Sequence, residues 1–127
     1  MPEPVKVWMA RPGREDTPSG VLSLVESTLW FEGSGTTIRV PVANVVKVGR
    51  ARGSPVITVS WTEEGEHREV SFYFVEPGPL GWSVEPPWMP GRGLDRTLSL
   101  MRLREANRQL KPLVKEWVAA VRREAGR

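Results

Sequence analysis

Few residues in this chain are equipped for bond-making chemistry. It contains no cysteine, which excludes thiolate nucleophiles, cysteine-ligated zinc and iron–sulfur clusters. Its one histidine, His67, stands beside Glu66 and Glu69. General acid–base work needs an imidazole held at hydrogen-bond distance from a partner in a cleft, and nothing in the spacing places one, so His67 reads as a surface residue at a strand start. Without a second histidine metal ligation fails. The run Glu63-Glu64-Gly65-Glu66 lacks the spaced ligands of a calcium loop and reads as a charged turn. No enzymatic activity, metal or cofactor is expected, and the chemistry left to the chain is binding.

Fixed positive charge is what it offers. Residues 1 to 93 carry nine Lys or Arg against eleven Asp or Glu, and residues 94 to 127 carry nine against four. Within the second segment Arg104, Arg108, Lys111, Lys115 and Arg122 fall within about 60° of one another at helical spacing, with no acid among them. Such a stripe could hold phosphates or anionic headgroups, and it is equally the pattern of a solvated helix face. It has no interleaved aromatics, so nucleic acid is not an expected partner. Lys47, Arg50 and Arg52, set around Gly49 and before Gly53, form a second anion candidate or an ordinary exposed turn. Trp82, Trp88 and Met89 lie in a proline-rich stretch and could form a partner-binding lip or cover a gap in the core. Trp30 and Trp8 alternate to the outer side of their strands, which makes Trp30 an interface candidate.

The elements that must position these residues follow from periodicity. A chain of 127 residues, 39% hydrophobic and 26% charged, suits one domain. Short alternating runs fill residues 4 to 75. Val5, Val7 and Met9 open them, and a polar loop runs from Arg11 to Gly20. A strand over residues 21 to 26 turns at Ser27-Thr28 into residues 29 to 32. Residues 37 to 42 alternate most cleanly, and Pro41 makes that end an edge or a break. Val45 to Val48 extends the sheet, and a hairpin follows, with Ile57, Val59 and Trp61 facing Val70, Phe72 and Phe74. Residues 76 to 93 hold five prolines and four glycines and have no regular period. From Asp95, a suitable N-cap, a helix runs to about residue 125, with Gly126 as its stop and a kink or break near Pro112. Its apolar stripe is Leu103, Ala106, Leu110, Leu113, Val114, Trp117, Ala120 and Val121. No window approaches the length of a membrane span and Met1-Pro2-Glu3-Pro4 is no signal peptide, so a soluble cytoplasmic protein is expected.

The succession Gly20 to Val25, Leu29-Trp30-Phe31, Ile38-Arg39-Val40-Pro41 with Val45 and Val46, and the hairpin of residues 56 to 61 and 70 to 74 resembles the core of pleckstrin-homology-like domains, especially bacterial and GRAM-type members. The resemblance covers residues 18 to 75 and the helix. It implies an α+β fold, a small antiparallel barrel or sandwich of six to seven strands capped by a C-terminal amphipathic helix. It also implies a binding module, for lipid headgroups in some members and for proteins or peptides in others. Members that bind phosphoinositides carry a basic cluster across the first hairpin. Here Lys6, Arg11 and Arg14 are followed directly by Glu15 and Asp16, so the lipid pattern is incomplete. A protein partner is therefore expected through the helix face, the Pro/Trp segment or a strand edge, with an anionic membrane surface as the alternative. The sequence names neither that partner nor the oligomeric state.

Overall fold

The computed structural model describes residues 2–50, 55–75 and 93–126, with side chains described for all of these except 93–107. Seven strands follow one another: β1 (Val5–Ala10), β2 (Ser19–Val25), β3 (Thr28–Gly33), β4 (Thr36–Pro41), β5 (Val45–Arg50), β6 (Val56–Glu63) and β7 (Glu66–Tyr73). They form a single antiparallel sheet in the order β4-β3-β2-β1-β7-β6-β5. One helix, α1 (Gly93–Glu124), follows. The architecture is the small α+β fold that the alternating pattern predicts, with β4 and β5 as the two edges.

Strand register is set by alternation and by three tight turns. Leu22 pairs with Phe31 and Leu24 with Leu29, which places all four on one buried face. The turn between β2 and β3 consists of Glu26 and Ser27, at φ 49° and 58°. Thr28, expected in the turn, belongs to β3 and pairs with Val25. Two positive φ values in succession give the turn twist that suits a two-residue hairpin, and Glu64 and Gly65 repeat the device between β6 and β7. Gly20 is required for space. A Cβ there would lie 2.5 Å from the Glu32 carbonyl oxygen and 2.7 Å from Phe31 Cζ.

The sheet curls onto itself. β3 and β7 are separated by two strands, about 14 Å in a flat sheet. The rings of Phe31 and Phe72 nevertheless meet at 5.9 Å between centroids. The enclosed core holds Val7, Met9, Val40, Ile57, Val59 and Val70 from the strands, and Val114, Trp117 and Val121 from α1. Every inward residue expected of the β6–β7 hairpin is buried. Val42, expected as the last inward residue of β4, is buried in a short 3-10 turn, Val42–Asn44, that carries the chain to β5.

Helix α1 packs against β5, β6 and that turn. Val118 joins its buried face, while Leu110 and Leu113 are only half-buried. The helix starts two residues before Asp95, which therefore lies in its first turn. It runs through Pro112 without a break. Pro112 and Arg108 both face solvent, so the carbonyl that loses its hydrogen-bond donor is on the side water can reach. Gly126 ends the helix as expected, at φ 78° with its N–H donating to Arg123 O. Two side chains fasten this end to the sheet: Ser27 Oγ donates to Glu124 Oε2 at 2.9 Å, and Arg122 Nη2 to Val48 O at 3.1 Å.

Candidate functional site

A concavity of about 490 Å³ is bordered by three parts of the chain that the curled sheet brings together. The first is the loop after β1. Arg11-Pro12-Gly13-Arg14 is a tight turn closed by Arg14 N–H donating to Arg11 O at 3.1 Å, with Gly13 at φ 77°. Proline then glycine at the two central positions is the pattern of a type II turn, and it delivers Arg11 and Arg14 to the cleft together. The second is β4, with Ile38 and Arg39. Arg39 lies 5.1 Å from the centre of the Trp30 ring, a cation–π contact that holds its long side chain on the sheet. The third is the β6–β7 hairpin, with Trp61, Glu63, His67, Arg68 and Glu69.

Charge is unevenly committed in this cleft. Arg11 pairs with Asp16 at 3.2 Å, and Arg68 with Glu66 at 3.1 Å and Glu63 at 3.8 Å. Arg14 and Arg39 have no ion pair among the described residues. Two donors are buried and unmet: Arg11 Nε and the indole Nε1 of Trp61, a residue only 4% exposed. Leaving a buried donor without an acceptor costs about 1–3 kcal/mol. A negatively charged group entering the cleft would meet Arg14 and Arg39, neither of which is neutralised by an ion pair among the described residues. Acids are present as well: Glu63 and Glu69 border the cleft, and Asp16 and Glu66 are held beside it by their ion pairs with Arg11 and Arg68.

The residues singled out by spacing fall elsewhere. Arg108, Lys111 and Lys115 are exposed on the outer face of α1 and have no ion pair among the described residues. Arg122 is drawn from that stripe onto the Val48 carbonyl. The side chain of Arg104, and all of Arg52, Trp82, Trp88 and Met89, lie outside the described residues. Lys47 and Arg50 border a smaller hollow, of about 280 Å³, with Gly49, Thr58, Ser60 and Glu69. Trp30 is half-buried beneath Arg39, on an outer face where Val21 and Val25 are exposed. His67 is exposed, as expected, and borders the large cleft.

Sequence reasoning noted Arg11 and Arg14 only as fragments of a lipid pattern, and it did not connect Arg39, Arg68 or the Trp61 N–H to them. The one local signal available was the Arg-Pro-Gly-Arg turn. β4 and β7 are not sheet neighbours, so no spacing along the chain reveals that they share a cleft.

Among the described residues no three His, Cys, Asp or Glu side chains gather as a metal site, and no helix is long and apolar enough to cross a membrane. The strand order and the position of the helix are compatible with the pleckstrin-homology-like fold. Neither a scan against protein-family models nor a search of curated proteins finds a match for this chain.

Proposed function

We propose that the chain is a non-catalytic binding module of pleckstrin-homology-like, GRAM-related type, which engages a protein partner by holding an acidic segment of it in the arginine-lined cleft. The observation that carries this reading is the gathering of Arg11, Arg14, Arg39 and Arg68 on one cleft, with Arg14 and Arg39 free of any ion pair among the described residues. The acids at the opening favour a short segment over a surface. Asp16, Glu63, Glu66 and Glu69 would repel an anionic bilayer brought flat against that end, whereas a narrow chain can place its carboxylates beside Arg14 and Arg39.

The test is fluorescence anisotropy with a labelled octapeptide of alternating Asp and Ser, against the same peptide with Asn in place of Asp. Saturable binding of the Asp peptide alone is expected, weakened more than tenfold in the double variant Arg14→Glu, Arg39→Glu. Trp61→Phe, which keeps an aromatic ring at the cleft, should weaken binding less than twofold while its far-UV spectrum stays that of the parent. Equal binding of the Asn peptide, or a double variant within twofold of the parent, overturns the reading.

A second reading is supported by the exposed, unpaired Arg108, Lys111 and Lys115 on α1, which suit an anionic membrane. At about 1 kcal/mol for each cation the three supply roughly 3 kcal/mol, weaker than millimolar attachment on their own. Flotation separates the two: if phosphatidylserine vesicles carry no more protein than phosphatidylcholine vesicles at low salt, the membrane reading fails.

A further inference from the structure

The two edge strands are not alike. Helix α1 packs against β5, and Arg122 donates to the Val48 carbonyl of that strand. β4 pairs with β3 and, among the described strands, with nothing on its other side. The phase of the β3–β4 pairing fixes which backbone groups are left over. Val42 N–H donates to Ser27 O at 2.9 Å, one step beyond the pairing of Thr28 with Pro41. Residues of an antiparallel strand alternate between bonding one neighbour and facing the opposite way. Val40, Ile38 and Thr36 are therefore the residues that bond to β3, while the N–H and C=O groups of Arg39 and Thr37 point outward from the edge. Pro41, next in that outward series, has no N–H to offer, and the usable edge ends there.

That open edge forms one wall of the arginine cleft. Ile38, packed toward the core, and Thr37 and Arg39, both exposed, all border the cleft, and no residue of β3 does. Side chains on opposite faces of one strand meet a common space only around its edge, and β3 fills the other side. Arg39 pairs in register with Trp30, lies over its ring, and has no ion pair among the described residues. We propose that the cleft takes its ligand as an eighth strand, antiparallel to β4, with acids at every second position and one of them directly opposite Arg39. The proposal rests on the acidic-segment reading and specifies the backbone conformation and spacing which that reading leaves open. In this register the acids opposite Arg39 and Thr37 exchange main-chain bonds with them, and the carboxylate opposite Arg39 lies on the same face as its guanidinium. The intervening residues turn their side chains to the Ile38 face and their N–H groups away from β4. A parallel strand would bond through those intervening residues instead.

The test uses the labelled Asp-Ser octapeptide in three forms: unmodified, N-methylated at every Asp, and N-methylated at every Ser. All carry the same charge, so they differ in which main-chain donors remain. Methylation at Asp is expected to weaken binding to the full chain at least tenfold, and methylation at Ser less than twofold. Amide hydrogen exchange gives an independent readout. With the unmodified peptide bound, the N–H groups of Thr37 and Arg39 should exchange at least tenfold more slowly, and those of Ile38 and Val40, already bonded to β3, should change less. If the unmodified peptide does not bind, the acidic-segment reading fails and the added strand with it. If it binds but the Ser-methylated form is as weak as the Asp-methylated form or weaker, or both match the parent, or the Thr37 and Arg39 amides exchange unchanged, the added strand is overturned and the acidic-segment reading stands. Slow exchange of those two amides in the free protein, together with a dimer in sedimentation, assigns the edge to a second copy of the chain and also overturns the proposal.

Discussion

Trp61 and Trp117 are both buried with an indole nitrogen that has no acceptor, and their surroundings give the two different tasks. Trp117 is wholly enclosed between α1 and the sheet, so its value is the apolar area it removes from water. Trp117→Ala is expected to cost about 3–5 kcal/mol. Trp117→Phe leaves a smaller void and also deletes the unmet donor, which itself costs about 1–3 kcal/mol. Its loss in urea denaturation should therefore be less than half that of the alanine variant. That both tryptophans would be inward was legible in the sequence, from alternation for Trp61 and from the helical stripe for Trp117. That their N–H groups would lack partners was not, because the fate of a single buried atom depends on neighbours brought in from distant strands.

At the scale of elements, hydrophobic alternation was a faithful guide to strands, and turn chemistry a poorer one. Glu26 and Ser27 adopt positive φ with no glycine or asparagine to announce it, so the position of the β2–β3 turn follows from the buried pairing of Leu22 with Phe31 and of Leu24 with Leu29. Pro41 did signal its place, at the end of edge strand β4. Pro112 signalled more disruption than occurs, since its exposed position lets water serve the freed carbonyl. The lost hydrogen bond still carries a penalty. Pro112→Ala is expected to stabilise the fold by about 1–3 kcal/mol, seen as a higher denaturation midpoint at an unchanged slope. An equal or lower midpoint would mean that the proline is accommodated without strain.

For the molecule as a whole, the charge division between residues 1–93 and 94–127 places exposed cations on α1, while the cleft's arginines sit in the segment whose net charge is negative. Net charge by segment was readable from composition. The cleft was not, because curling of the sheet gathers Arg11, Arg39 and Arg68 from three separate stretches. The cleft is a concavity in which Arg11 is half-buried, whereas Arg108, Lys111 and Lys115 stand exposed on the helix face. Raising salt from about 0.05 to 0.5 M shortens the screening length severalfold. Binding of an acidic peptide in the cleft is expected to weaken by less than binding of the same protein to anionic vesicles, measured by anisotropy and flotation across one salt series. The placement of Val114, Trp117 and Val121 carries a further consequence, for synthesis. These residues follow every strand in the chain, so a ribosome making about 5–20 residues per second leaves the finished sheet without its cover for several seconds. In that interval the strand residues that Val114, Trp117 and Val121 pack against are without those three side chains.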